Sequence, residues 1–86
     1  MALIAGFIIE GTNSSFLSSG FHWRRYNNQA DIFVHHVEEI GDILLLSQSW
    51  EIKPMHLYPA QYDHAGEQKT GGVKLLSEKP LSVDFL

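Results

Sequence analysis

Cysteine is absent from the 86 residues of the chain. Its absence excludes a disulfide framework, thiol catalysis and every zinc site that needs thiolate ligands, and it leaves the redox compartment unspecified. Long apolar runs are also missing. The opening segment MALIAGFIIEG is apolar for only about eight residues and has no basic region, so we expect neither a signal peptide nor a membrane span. A cytoplasmic protein is the resulting prediction.

Positive charge is scarce. Lysine and arginine supply six positive charges against ten negative charges from aspartate and glutamate, which gives a formal net charge of −4. An acidic chain is not generally attracted to phosphate backbones, so a nucleic-acid partner is not expected. The chain also has no P-loop, dinucleotide fingerprint or nucleophile elbow. We therefore predict no catalytic residues and no cofactor.

The composition is that of a globular protein, with 44% apolar and 19% charged residues. The length predicts one small domain over residues 1–86. A domain of this size buries only about 60 to 65% of the surface that its unfolded chain exposes, so its stability is expected to be marginal. A partner subunit would supplement it, and we therefore expect a homodimer.

The stretch from Asp31 to Ile52 holds the clearest periodicity. An arc of about 140° at helical spacing contains Ile32, Phe33, His36, Val37 and Ile40, and Val34 lies off this face. Asp31 is placed as an N-cap and Gly41 just past the end. This pattern predicts a helix over about residues 30–40. From residue 43 to 52 an apolar run followed by alternation predicts a strand.

Further strands are predicted on both sides of this stretch. Residues 2–10 are apolar on both parities, which indicates a covered central strand in which Gly6 marks a close approach or a bulge. Residues 21–26 favour a short strand, and residues 73–77 with 81–86 favour a terminal hairpin whose last strand could pair with another chain. The predicted fold class is α+β, an antiparallel or mixed sheet of four to five strands with one helix packed on one face. An all-β meander or small barrel, with residues 32–52 as a hairpin, is the alternative.

Histidine is the first candidate for chemistry, with residues at positions 22, 35, 36, 56 and 64. His35 and His36 are adjacent, so a helix directs them about 100° apart and a strand directs them to opposite faces. They cannot easily share a metal ion, and we predict no metal site. The simpler interpretation is a solvated His35 and a hydrogen-bonded His36 at the edge of the core.

Two segments are predicted to carry binding residues. The first combines aromatic rings that could stack on bases or anchor a protein interface with cations that could meet phosphates: Phe21, His22, Trp23, Arg24, Arg25 and Tyr26. Its structural alternative places Trp23 in the core and pairs the arginines with acids such as Glu38, Glu39 or Asp42. The second lies in a stretch, residues 53–72, that is predicted to be a loop, and it contributes His56, Tyr58, Tyr62, Asp63 and His64.

These observations favour a small non-catalytic module that binds another protein in a regulatory role and forms a homodimer through an edge strand. The first alternative is a small-molecule-binding protein or an enzyme, with a pocket under the 53–72 loop that uses His56, His64 or Asp63. The second alternative is binding of single-stranded nucleic acid through residues 21–26.

Overall fold

A computed structural model describes residues 3–25, 33–63 and 73–83 of the chain. Within these ranges it contains one α-helix and six β-strands. In chain order they are β1 (Leu3–Gly11), β2 (Ser15–Leu17), β3 (Trp23–Arg25), α1 (Val37–Leu46), β4 (Pro54–Asp63), β5 (Val73–Leu75) and β6 (Leu81–Ser82). Five strands follow the order β3-β2-β1-β4-β5, and β6 pairs with β4. One antiparallel sheet with a single helix confirms the predicted α+β class, and the sheet is not a closed barrel.

The long antiparallel pair of β1 and β4 is the centre of the sheet. Glu10 lies opposite His56, Ile8 opposite Tyr58 and Ile9 opposite Leu57. Since neighbouring residues of a strand point to opposite faces, Glu10 and Ile8 share one face and Ile9 lies on the other. We call these the Glu10 face and the helix face. The prediction that β1 is a central strand is confirmed.

Both faces of the sheet bury apolar side chains. On the helix face, one cluster consists of Ile9, Leu17 and Ile43, and the partly buried side chains of Phe21, Trp23, Ile40, Trp50 and Leu57 pack against it. On the Glu10 face, the second cluster consists of Ile8, Val34, Ala60 and Tyr62, with Phe16 and Tyr58 against it. The run of apolar residues on both parities of β1 follows from this two-sided burial.

The predicted position of the helix, residues 30–40, is wrong. The helix lies further along the chain, at Val37–Leu46. The helix begins after His36, its N-cap, and ends at Leu46, so Gly41 lies inside it and not past its end. Residues 33–36 are extended. The β-branched and aromatic residues of that segment prefer an extended backbone. Glu38 and Glu39 lie in the first turn of the helix, where their negative charges interact favourably with the helix dipole. The predicted cap Asp31 lies outside the described residues.

The strand predicted over residues 43–52 is also wrong. This stretch completes α1 and continues in a 3₁₀ turn, Ser47–Ser49. A short apolar run does not distinguish a strand from a buried helical segment by periodicity alone. The run is not buried on two faces, because Ile43 is buried whereas Leu45 is 66% exposed.

The predicted 53–72 loop is wrong over Pro54–Asp63, which forms β4 in the interior of the sheet. The strand contains two prolines, although proline cannot donate a backbone hydrogen bond and is rare in central strands. Pro54 opens the strand, where this lack is tolerated. Pro59 still contributes to the sheet, since its carbonyl accepts a hydrogen bond from the Leu76 amide at 2.8 Å. Residues 64–72 lie outside the described part of the chain.

The terminal hairpin is replaced by an interrupted edge strand. Both β5 and β6 pair antiparallel with β4, at Ala60↔Leu75 and Leu57↔Leu81, so they run in the same direction along one edge. Between them the Lys79 amide donates to Ser77 Oγ at 3.1 Å, which closes a local turn. The chain bulges outward there and then returns to the edge of β4 without reversing.

At Gly6, β1 has no room for a side chain. Phe7 and His35 exchange two backbone hydrogen bonds of 2.8 and 2.7 Å, which draws the 33–36 segment against β1. A Cβ at Gly6 would collide with the His35 carbonyl oxygen and would lie 2.8 Å from Val34 Cγ1. The predicted close approach at Gly6 is confirmed.

We expect Gly6→Ala to destabilise the fold by about 2 kcal/mol or more, because the added methyl group meets backbone that cannot move without breaking the Phe7–His35 pairing. Gly41→Ala is the matched control, since no described atom outside the nearby backbone of α1 lies within 4 Å of its Cβ position. There the same methyl group should stabilise by about 0.5 to 1 kcal/mol. Urea denaturation measures both free energies of unfolding, and equal effects at the two positions would contradict the packing described here.

Candidate functional site

Three polar side chains meet on the Glu10 face at one end of the central strand pair. Glu10 lies opposite His56, and Tyr58 follows two residues later on the same face. His56 Nδ1 donates to Glu10 Oε1 at 2.9 Å, and the Tyr58 hydroxyl donates to the same oxygen at 3.2 Å. The side chains of His56 and Glu10 are 36% and 22% exposed, so solvent and solutes can reach them. We call these three residues the Glu10 cluster.

The Glu10 cluster and its burial change the pKa of Tyr58. Burial raises the pKa of the Tyr58 hydroxyl above its ordinary value, and the negative charge of Glu10 and the hydrogen bond to it raise the pKa further. All three causes disfavour a phenolate beside a carboxylate. Tyr58 is therefore held as a neutral donor to Glu10.

Glu10 also orients the imidazole of His56. Because Nδ1 carries the hydrogen that is donated to the carboxylate, the neutral ring presents a lone pair at Nε2. A carboxylate on one ring nitrogen fixes both the tautomer and the ring orientation, as it does in general bases and metal ligands. The arrangement is suited to accepting a proton at Nε2.

The structure separates the residues of the 21–26 segment. The rings of Phe21 and Trp23 pack against the helix-face core, and Trp23 meets Trp50 edge to face with centroids 6.0 Å apart. The indole lies over Gly11, where a Cβ would come within 2.7 Å of the ring. Trp23 Nε1 is buried, and among the residues that the structure describes no group accepts a hydrogen bond from it.

The charged residues of the same segment point outward. The side chains of His22, Arg24 and Arg25 are exposed, and within the described ranges no carboxylate forms an ion pair with either arginine. Aromatic rings and cations are thus not presented together at residues 21–25. Tyr26 lies outside the described residues.

The other predicted residues of the second segment divide between core and margin. Tyr62 is buried, and its hydroxyl lies 2.9 Å from His36 Nε2 with the two rings stacked. This contact confirms a hydrogen-bonded His36 near the edge of the core. Asp63 ends β4, where its backbone pairs with Leu3. His64 lies outside the described residues.

His35 is fully buried, so the prediction of a solvated His35 is wrong. Its Nε2 donates to the Leu17 carbonyl at 2.9 Å, and its Nδ1 lies 3.3 Å from Glu39 Oε2. The ring also packs beside Phe21 and Phe33. The sequence indicated a helix at this position, and the extended backbone of the 33–36 segment turns the ring inward instead. His35 is therefore a structural residue.

Glu10 is the functional candidate that the sequence did not reveal. It lies 46 residues from His56, so no local spacing connects the two. One signal did exist: Glu10 is the only charged residue in the otherwise apolar segment that forms β1. This signal points to His56 only when β1 is paired with the strand that contains His56.

Comparisons with family models, with curated proteins and with solved structures find no match to the chain. Among the helical residues that the structure describes, no segment is both long and apolar enough to cross a bilayer. In the same ranges, no three histidine, aspartate or glutamate side chains converge on a point where a metal ion could bind. The geometry of the described residues is therefore the basis for assigning a function.

We expect Glu10→Gln to lower the pKa of Tyr58 while leaving it above 10.0, because the charge is lost and the burial remains. NMR titration of the tyrosine ¹³Cζ signals measures this shift, and Glu38→Gln, the same charge change on the exposed side of α1, should leave it unaltered. The raised pKa also contributes stability that is complete below pH 10 and is lost as pH rises through the folded-state value. An unchanged Tyr58 titration in Glu10→Gln would contradict the contact.

We expect His35→Ala to destabilise the fold by about 3 kcal/mol, because it leaves a cavity and removes the donor to the buried Leu17 carbonyl. His22→Ala provides the matched control, since the His22 side chain is exposed and its removal should change stability by less than about 0.5 kcal/mol. Chemical denaturation monitored by tryptophan fluorescence compares the two. Similar losses of stability in the two variants would contradict the buried position of His35.

Proposed function

We propose that the chain is a small protein-interaction module that binds through the edge of the sheet formed by β5 and β6. The observation that carries this proposal is a set of large apolar side chains left exposed on that edge and on β4 beside it. Their exposed fractions lie between 44% and 53%. We call this set the edge patch, and it consists of Met55, Leu75, Leu76 and Leu81.

Strand pairing places the members of the edge patch along one edge of the sheet, with Leu75 on the Glu10 face and Leu81 on the helix face. Leu81 lies opposite Leu57, and the Val83 amide donates to the Met55 carbonyl at 2.9 Å. Leu75 lies opposite Ala60, and Leu76 follows it directly. The patch therefore extends along the edge on both sides of the bulge at residues 77–80.

An apolar edge of this kind suits a protein partner for two reasons. Burying apolar surface is favourable by about 25 cal/mol per Å², and exposed apolar patches are typical of interaction sites. In addition, an edge strand carries backbone groups that can pair with one more strand. In the described part of the chain, no strand pairs with the outer side of β5 or β6.

A second copy of the chain is the simplest partner. Two identical edges related by a twofold axis can pair antiparallel, so each copy would cover the other's patch. The small size of the chain favours such an association, because an isolated domain of this length has a limited core. Another protein with an extended apolar segment would use the same edge.

Nucleic-acid binding has less support. Stacking on bases requires exposed aromatic rings, and the rings of Phe21 and Trp23 pack against the helix-face core. The formal net charge of −4 also opposes it. A pocket under a 53–72 loop also has less support, because residues 54–63 form a strand and not a loop.

We expect Leu81→Glu to abolish self-association and partner binding, because it places a charge in the centre of the edge patch. Leu45→Glu is the matched control, since Leu45 is 66% exposed on α1 and lies outside the patch. Sedimentation velocity over a wide concentration range measures self-association. Affinity capture from the native extract, followed by quantitative mass spectrometry, measures other partners.

The proposal requires that the wild type and Leu45→Glu behave alike and that Leu81→Glu loses binding. Identical sedimentation and identical captured proteins for all three chains would refute it. Equal loss in both variants would refute the assignment to the edge, because the response would then follow the added charge and not its position.

A further inference from the structure

A serine lies next to the Glu10 cluster in the register of the sheet. Ser82 on β6 is opposite His56 on β4, and His56 is opposite Glu10 on β1. Directly opposed residues of antiparallel strands share a face, with Cβ atoms about 5 Å apart. Ser82, His56 and Glu10 therefore form one row across three neighbouring strands, on the Glu10 face.

The hydrogen bond within the row sets the direction of the imidazole. His56 Nδ1 is turned towards β1, where it donates to Glu10 Oε1 at 2.9 Å. The strand with Ser82 lies on the other side of β4. Nδ1 and Nε2 lie on different sides of the imidazole ring, so a ring whose Nδ1 is turned towards β1 can direct its Nε2 lone pair towards the side of β4 that carries Ser82.

We propose that this row is a nucleophilic site that acts on small activated carboxylic esters. Ser82 is the nucleophile, His56 is the general base and Glu10 is the positioning residue that fixes the imidazole tautomer. The side chain of Ser82 is exposed, so a substrate can reach it. The proposal goes beyond the interaction function and rests on different side chains.

The surroundings of the row favour an apolar or aromatic acyl group. Tyr58 adjoins His56 on the same face, and its ring is only partly buried. An ester whose carbonyl carbon meets Ser82 would lay its acyl group beside this ring.

The reaction balances with water as the second substrate. Ser82 Oγ attacks the ester carbonyl carbon as its proton passes to His56 Nε2, and the carbon–oxygen bond to the alcohol then breaks as that proton moves to the leaving alkoxide. Water next gives a proton to His56 Nε2 and attacks the acyl-serine. The acid is released, and the proton returns to Ser82. Throughout these steps Glu10 holds the Nδ1 hydrogen.

Fluorophosphonate labelling of the full chain, read by peptide mass spectrometry, tests the nucleophile directly. We expect Ser82 to be modified at least about tenfold faster than Ser49, an exposed serine whose hydroxyl donates to the Leu46 carbonyl. His56→Gln should slow the modification of Ser82 about a hundredfold. Modification of Ser82 at the rate of Ser49, or at an unchanged rate in His56→Gln, would overturn the proposal.

Hydrolysis of p-nitrophenyl butyrate separates the roles of the three residues. Ser82→Ala should abolish turnover, and Glu10→Gln should reduce it about tenfold while Glu10→Asp retains more of it. Circular dichroism verifies that each variant is folded. Turnover that persists in Ser82→Ala would mean that the imidazole attacks the ester itself, and this result would also overturn the assignment.

The test is independent of the proposed interaction function. Leu81 and Ser82 are neighbours on β6 and so point to opposite faces of the sheet. Ser82→Ala should therefore leave association through the edge patch unchanged, so failure of either proposal is recognised without reference to the other.

Discussion

Two backbone hydrogen bonds between Phe7 and His35, of 2.8 and 2.7 Å, hold the 33–36 segment against β1, and the position of the helix depends on them. The helix begins directly after this segment, so its first turn is fixed where the chain leaves β1. From there α1 carries Ile43 onto the helix face, while Val34 packs on the Glu10 face. One short segment thus contributes to closing both cores, and only glycine at position 6 leaves room for it.

His35 strengthens that constraint because it connects three elements. Its backbone pairs with β1, its Nε2 donates to the Leu17 carbonyl of β2, and its Nδ1 lies near Glu39 in the first turn of α1. A buried polar ring is unfavourable unless it is hydrogen-bonded, and here the Leu17 carbonyl accepts from Nε2. The polar groups therefore fix how strands and helix fit together, whereas the apolar clusters supply most of the stabilisation.

Sequence reasoning predicted the features that local chemistry determines and missed those that pairing determines. The α+β class, the central strand β1, the close approach at Gly6 and the strand at Trp23–Arg25 all have local signals. The position of α1 and the strand Pro54–Asp63 do not, because tertiary pairing overrides a helical period in one case and two prolines in the other. At the candidate site, His56 and Tyr58 were selected for their chemistry, whereas Glu10 joins them only through sheet register.

The short strand β6 is where the two proposals meet, because Leu81 belongs to the edge patch and Ser82 to the proposed nucleophilic row. A strand of two residues that is paired on one side gains little from its own hydrogen bonds. Its two pairings with β4 therefore decide the two roles: the pairing with Leu57 directs Leu81 to the helix face, and the pairing with His56 directs Ser82 to the Glu10 face. Because these side chains lie on opposite faces, binding at the edge and chemistry at the row use different surfaces of one strand.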